Sequence, residues 1–259
     1  MTHKEGAEKI MPYGDDAAKG GQVEKMFDSI APAYDFMNSV MSLGMHTHWR
    51  NLALRMAADR LSEEETHENR SPENILDIAT GTGDVAFALH ARYPQAHISG
   101  LDLSEGMLEI ARKKSEALPE EEQAMISFRQ GDSLKMNFED ATFDMITVAY
   151  GVRNFENLRQ GYSEMRRVLR PGGVLCVIEL SQPTGWLPLL GYRAYTRGVI
   201  PIAGRLVSGD PRAYSYLHES IEAAPQRGAM TAIMEEVGFR EARWKSIFPG
   251  AVTIYTAIR

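Results

Sequence analysis

A glycine turn set between a strand and a helix, with a carboxylate some way beyond it, gives this sequence its first chemistry. The stretch Asn74-Ile-Leu-Asp-Ile-Ala-Thr-Gly-Thr-Gly-Asp84 begins as an apolar run of strand length (Ile75, Leu76, Ile78). It passes through Gly81-Thr82-Gly83 into the helical pattern Val85 to Ala91. Where no Cβ intrudes the backbone can approach a ligand closely, and helix N-terminal amides point at it. Ile98-Ser-Gly-Leu-Asp102 makes a second strand that ends in an acid. That acid lies roughly 20 residues downstream, where an acceptor for ribose hydroxyls is expected. Together these residues make a nucleotide-sized site.

The glycine spacing separates two classes of ligand. A dinucleotide fingerprint reads Gly-x-Gly-x-x-Gly. Here the run is Gly81-Thr-Gly-Asp-Val-Ala86, with an acid directly after the second glycine. Ala86 in the third place only weakens the fingerprint, but Asp84 beside a pyrophosphate is electrostatically poor. A cofactor with a sulfonium cation and no phosphate would find Asp77 and Asp84 favourable, and S-adenosylmethionine fits that description.

Such a site needs a frame, and 259 residues are enough for a large α/β domain with a full core. The pattern predicts strand 75–79, helix 84–92, strand 97–102, helix 104–117 and strands 125–130 and 143–149. Helix 158–169, strand 173–180, helix 225–237 and strands 242–248 and 252–258 follow. Pro171-Gly-Gly173 reads as a sharp break between helix and strand, and Gly250 as a hairpin marker that makes the last strand antiparallel. The expected fold is a doubly wound, Rossmann-like α/β sheet of seven strands, mostly parallel, with helices on both faces. Ligands on such sheets sit outside the carboxyl ends of the strands. That edge would carry Thr80 to Asp84, Asp102, Gly131-Asp-Ser133 and Tyr150 to Asn154.

Residues 1–20 are polar or small and are expected to form a disordered tail, with 21–259 a single domain. Val23, Met26, Phe27 and Ile30 recur at helical spacing. The aromatic and Met-rich run Tyr34 to Trp49 then leads into a helix to Leu61. This N-terminal helical cap can close a core or line an apolar pocket. Residues 183–225 hold Trp186, Tyr192, Tyr195, Tyr214 and Tyr216, too many large apolar groups for a linker, and read as a helical insertion.

A net charge of −7 opposes nucleic-acid binding. The single cysteine, Cys176, lies in an apolar run, reads as a core residue and fits a reducing compartment. The N-terminus lacks a signal-peptide pattern, and no apolar stretch approaches the roughly 18 residues that span a bilayer. The expected location is cytoplasmic, with peripheral contact at the inner membrane face. No His, Cys or acid grouping has metal-ligand spacing. Nothing in the pattern opposes a homo-oligomer.

Ile75-Leu-Asp-Ile-Ala-Thr-Gly-Thr-Gly83 resembles motif I of class I S-adenosylmethionine-dependent methyltransferases. Gly100-Leu-Asp-Leu-Ser104 is similar to the acidic-strand motif that follows, and Leu169-Arg-Pro-Gly-Gly173 to the late strand-entry signature. Three stretches are narrower: Tyr34-Asp-Phe-Met-Asn38 with Ser42-Leu-Gly-Met-His46, Gly151-Val-Arg-Asn154, and Tyr214-Ser-Tyr-Leu-His-Glu-Ser220. Together they resemble the ubiquinone/menaquinone biosynthesis C-methyltransferases, from about Val23 to the C-terminus. One departure is Thr47, with His48 next, where that family usually has Arg.

The resemblance implies cofactor contacts at Thr82, Asp102, Asp132 and Ser133, beside the turn residues Gly81, Gly83 and Asp77. Asp102 would accept both ribose hydroxyls, Asp132 would meet the adenine amino group, and the adjacent amide would serve a ring nitrogen. It further implies a polyprenylated quinol methylated on a ring carbon. Tyr13-Gly-Asp-Asp through Gln22-Val-Glu-Lys-Met-Phe-Asp28 is closer to menaquinone-pathway members, so demethylmenaquinol is expected ahead of the benzoquinol of ubiquinone synthesis.

A ring carbon is a poor nucleophile until the neighbouring hydroxyl, with a pKa of about 10, loses its proton. A base or a cation that stabilises the phenolate is therefore required. Arg153 is expected in the second role or as a holder of a relaying water, a structural salt bridge being its competing role. Asn154 would orient the quinol oxygen. His46 and His48 are alternative bases, since histidine titrates near neutrality. Tyr34, Tyr214 and Tyr216 would line the quinol pocket. Leu187, Leu189, Leu190, Val199 and Ile200, with Arg193 and Arg197, suggest an apolar face with basic flanks for the prenyl tail and the membrane. Competing functions are methyl transfer to oxygen or nitrogen, a binding or assembly subunit without turnover, and a nicotinamide dehydrogenase.

Overall fold

Short apolar runs bounded by glycine and charged turns make seven strands, which the computed structural model joins into one sheet of order β3-β2-β1-β4-β5-β7-β6. The structure describes residues 6–14, 16–63, 71–195, 198 and 211–259. β1 (Asn74–Ile78), β2 (His97–Asp102), β3 (Ile126–Gln130), β4 (Phe143–Ala149) and β5 (Leu169–Leu180) are parallel. β7 (Val252–Ile258) is antiparallel to both β5 and β6 (Arg240–Ile247). The strand order reverses between β1 and β4, so the loops that follow these two strands open a crevice at the carboxyl edge.

Period-two alternation sends Leu76 and Ile78 to one face of β1 and Ile75 to the other. The first face packs beneath α7 (Leu158–Val168) and α10 (Gly228–Glu236) through Tyr162, Met165, Met230 and Met234. The second packs beneath α3 (Met45–Glu63) and α4 (Asp84–Arg92) through Ala53, Leu54, Ala57 and Leu89. Cys176 lies in this second layer with its Sγ 3.6 Å from the Ala53 carbonyl, and burial pushes its thiol up to about 12. It is the inert core residue its apolar run implied. α5 (Glu105–Ser115) and the short α6 (Glu120–Gln123) connect β2 to β3.

Two expectations are corrected. β5 starts at Leu169, so Pro171-Gly-Gly173 is not a break before the strand but an irregularity inside it. The register with β4 jumps from Phe143–Leu169 to Met145–Val174, and Gly172 takes φ 78°. Residues 6–14 are docked and not a free tail. Ala7–Lys9 form a 3-10 turn with Ala7 buried, and Lys19 donates from Nζ to the Ala7 carbonyl. Of the insertion, α8 (Trp186–Ala194) and α9 (Pro211–Ala223) are described. Arg197, Val199 and Ile200, and the side chains of Arg193 and Tyr214, lie outside the described residues.

The N-terminal segment, with α1 (Lys19–Ile30) and α2 (Tyr34–Ser42), is held over the carboxyl edge by its acids. Glu8 accepts from the Leu158 amide at 2.7 Å, at the start of α7. Asp28 accepts from the Gly106 amide at 3.0 Å and from Ser104 Oγ at 2.6 Å, at the start of α5. Asp35 accepts from Thr82 Oγ1 at 2.6 Å and pairs with Lys114 at 2.6 Å, just before α4. The helices after β4 and β2 thus turn their positive ends toward carboxylates of this same chain, while Asp35 meets a hydroxyl of the turn before α4 and not that helix's amides. Buried Lys19 adds bonds of 3.4 Å to the Arg153 and Phe155 carbonyls, and burial pulls its ammonium down to about 8.

Candidate active site

Between the N-terminal segment and the carboxyl edge lie two adjoining chambers, of about 520 and about 80 Å³. They share Phe27, Tyr34, Gly81 and Tyr150 as wall residues. The small one runs along the ends of β2 and β3, past Asp102, Asp132 and Ser133. The large one is mostly apolar, with Met26, Met37 and Met41 from the N-terminal segment and Tyr192, Tyr216 and Leu217 from the insertion.

In the small chamber Gly81 takes φ 56°, a conformation open to glycine, and donates its amide to Asp102 Oδ2 at 2.8 Å. Asp102 Oδ1 accepts from the Ser104 amide at 2.9 Å. Each carboxylate oxygen keeps a further lone pair for a diol. Burial raises the Asp102 carboxyl above the usual range, against these backbone bonds. Asp132 is exposed and accepts from the Leu134 amide at 2.8 Å, so it is a turn acid as well as a wall residue; Ser133 beside it is buried. Thr82 is buried and reaches the large chamber, its hydroxyl given to Asp35.

Three residues of the turn do other work than expected. Gly83 is closed off by aromatic packing, since a Cβ there would lie 2.7 Å from Phe87 and 3.1 Å from Phe128. Asp84 is neutralised by Lys114 at 3.0 Å and Arg50 at 3.8 Å, so it offers a sulfonium no free charge. Asp77 lines neither chamber. Its two oxygens accept from Thr80 Oγ1 and Thr147 Oγ1 at 2.6 Å each.

Burial first, then Asp102 and Asp84, push the Asp77 carboxyl up to about 7, against the two threonine bonds. A carboxyl raised in the folded state contributes stability that is full below the unfolded value near 4 and is lost as pH rises through 7. Asp77→Asn is therefore expected to gain on the wild-type protein by a few kcal/mol between pH 4 and 8. Urea unfolding across that range measures it, and parallel stability curves would refute it.

At the large chamber the structure gathers Arg153, His46, Tyr34 and Tyr216, with Asn154 in the wall of the small one. Arg153 is buried and pairs through Nη1 with Glu179 at 2.9 Å, while Nη1 also donates to the Tyr150 carbonyl. Its competing structural role is thus present. Asn154 Oδ1 accepts from Tyr216 Oη at 3.1 Å. His46 Nδ1 meets Ser42 Oγ at 2.7 Å. His48 is exposed and reaches neither chamber, so it is no candidate base. Thr47 is exposed too, and the departure at that position leaves the chamber walls unchanged. Tyr150, placed on this edge from the sequence but given no role there, lines both chambers. Its left-handed backbone, φ 57°, is invisible in a residue pattern.

The site suits S-adenosylmethionine. A side-chain-free turn at Gly81 faces an acid placed for a diol, and an apolar space adjoins it for an acceptor. The helix ends after β4 and β2 are already met by Glu8 and Asp28, and Asp35 stands on Thr82 of the glycine turn, which makes a phosphate there unfavourable. The model of the ubiE/COQ5 methyltransferase family matches residues 15–259. The demethylmenaquinone methyltransferase of Bacteroides fragilis is 42% identical over 255 residues, 97% of this chain and 98% of that one. That of Deinococcus radiodurans is 44% identical over 234 residues, 90% and 91% of the two chains. Among solved structures, phosphoethanolamine N-methyltransferase 2 of Haemonchus contortus in complex with S-adenosyl-L-methionine shares the fold. Its TM-score is 0.56 at 13% identity, over 79% of this chain and 52% of that one. With a family match that spans the fold and both chambers, the chain belongs to the ubiE/COQ5 methyltransferase family and is an S-adenosylmethionine-dependent methyltransferase.

Proposed function

We propose that the chain methylates demethylmenaquinol on a ring carbon. The observation that carries this reading is a large apolar chamber that meets the small polar one at Tyr34 and Tyr150, with buried Arg153 in its wall. A quinol ring fits the polar inner end, and its prenyl chain fits the Met-rich remainder. Bound S-adenosylmethionine supplies a methyl whose bond to sulfur breaks as the bond to the ring carbon forms, leaving a neutral thioether. Arg153 stabilises the phenolate that makes the ortho carbon nucleophilic, and Asn154 orients the oxygen. His46, its Nδ1 held by Ser42, takes the hydroxyl proton on Nε2. The proton on the methylated carbon then passes to water and the His46 proton returns to the oxygen, which restores the aromatic quinol with one proton released. The N-terminal segment keeps water from the reacting pair.

The tail reaches this chamber from a membrane surface. Phe248 is 90% exposed, Trp186 79% and Leu43 77%, a degree of exposure that calls for a partner. Leu43, Met45, Pro188 and Pro249 also border the large chamber, so these groups surround its mouth. No helix among the described residues is long and apolar enough to cross a membrane, and the contact proposed here is peripheral.

Mass spectrometry of methyl transfer to demethylmenaquinol and to the corresponding benzoquinol, run in parallel, tests the reaction. The expected result is a gain of one methyl on the naphthoquinol with the higher kcat/KM, and no transfer to either quinol would overturn the reading. Flotation with anionic liposomes tests the surface. Trp186→Ser with Phe248→Ser is expected to reduce the floated fraction at least fivefold, and equal flotation would remove the membrane contact.

A further inference from the structure

Tyr150 ends β4 in a left-handed conformation, φ 57°, which a bulky side chain seldom adopts. Across the crevice Ala79, just past β1, does the same at φ 53°. The two backbones are close enough that a Cβ on Gly151 would lie 2.6 Å from that of Ala79. Strain of this kind persists where the surrounding structure over-determines it, and it gathers at functional sites. Here the Tyr150 amide is fixed to the Ile178 carbonyl at 2.7 Å, and its own carbonyl accepts from Arg153 Nη1. The conformation therefore places the tyrosine ring and the Arg153 guanidinium on one short loop.

What that loop presents is unusual. The Tyr150 hydroxyl is buried and makes no hydrogen bond to the described residues, and the same holds for Arg153 Nε. Buried donors in native structures almost always have a partner, because an unmet one bears its full desolvation penalty. Both residues line the large chamber, and Arg153 is only 8% exposed. A third donor without a partner, Arg50 Nε, belongs to the same wall. Three covered, unmet donors in residues of one mostly apolar wall suit a ligand that brings negative charge into the chamber.

We propose that the Tyr150 hydroxyl is a second donor to the quinol oxygen that Arg153 stabilises, so that one cation and one neutral O–H share the developing phenolate. This rests on the reaction proposed above. Tyr150 keeps its proton throughout and makes or breaks no covalent bond. Its surroundings favour that role: burial first, then Glu179 and Tyr34, raise the phenol well above its ordinary value, against Arg153 and Arg50. A tyrosine that stays protonated beside a substrate phenol of ordinary acidity donates to it and does not compete for its proton.

The test is Tyr150→Phe in the full chain. At saturating S-adenosylmethionine kcat is expected to fall about 10–100-fold, with S-adenosylhomocysteine affinity within about twofold of wild type. 4-Methoxy-1-naphthol, bound with S-adenosylhomocysteine, supplies a readout that a packing role would not move. Its absorbance titration should show an ionisation constant about tenfold smaller in the variant. Should the variant lose cofactor binding as well, 3,5-difluorotyrosine at position 150 replaces it, and the stronger donor is expected to increase naphthol ionisation. Wild-type kcat together with wild-type naphthol ionisation in Tyr150→Phe, or no response to fluorination, overturns the assignment and leaves the reaction standing. A wild-type protein that methylates no quinol overturns the reaction and the assignment with it.

Discussion

The double variant Arg153→Met with Glu179→Gln is expected to lose about 10²–10³-fold in kcat while binding S-adenosylhomocysteine within about threefold of wild type. Two substitutions are needed because Arg153 has two roles in one place. Its guanidinium meets Glu179 at 2.9 Å, its amide meets the second oxygen of that carboxylate at 3.2 Å, and Glu179 is 1% exposed. Arg153→Ala alone would strand that carboxylate, at about 3–5 kcal/mol, and the lost activity would mix unfolding with chemistry. Glutamine at position 179 removes the charge and keeps one acceptor oxygen, for either the Arg153 or the Leu180 amide, which now bond separate oxygens of the carboxylate. What the double variant lacks is the positive charge at the chamber wall. A folded double variant with turnover near wild type would reduce Arg153 to a structural ion pair.

The parts of this protein legible from sequence are those set by local pattern. The strands show because each is a short apolar run closed by a turn, and Asp102 shows because strand and spacing both select it. What long-range geometry decides is not legible. Asp77 reads as a ligand of the turn until Thr147, 70 residues away, is seen to hold it. Asp84 reads as free until Lys114 and Arg50 are brought to it from two helices. His46 and His48 look equivalent in the chain, yet two positions on a helix differ by some 200° in direction, and only one faces the chamber. Glu8 and Asp28 are ordinary surface acids by type, and only the folded segment turns them into caps. Tyr150 carries its signal in a backbone angle, which no spacing rule reports.

Asp102→Ala is expected to weaken S-adenosylhomocysteine binding about 10²-fold or more, with Asp102→Asn falling between it and wild type. The carboxylate acts twice. It accepts from the Gly81 and Ser104 amides, at 2.8 and 2.9 Å, which fixes the turn against the start of α5. Its remaining lone pairs are the acceptors for two ribose hydroxyls, and hydrogen bonds to a charged group contribute roughly 1.5–3 kcal/mol each. Alanine loses both functions, whereas asparagine keeps one acceptor oxygen and brings an N–H that must point away from any donor. Because burial raises this carboxyl, protonation removes an acceptor at a higher pH than an ordinary aspartate would. Affinity in the wild-type protein should therefore decline as pH falls toward that raised value, and the decline should vanish in Asp102→Asn. Calorimetric titration of S-adenosylhomocysteine between pH 5 and 8 reads both effects. Since Asp102 borders only the small chamber, the KM for quinol at saturating S-adenosylmethionine should stay near wild type. An alanine variant that binds S-adenosylhomocysteine within threefold of wild type would move the ribose away from the end of β2 and leave Asp102 as a turn-fixing acid alone.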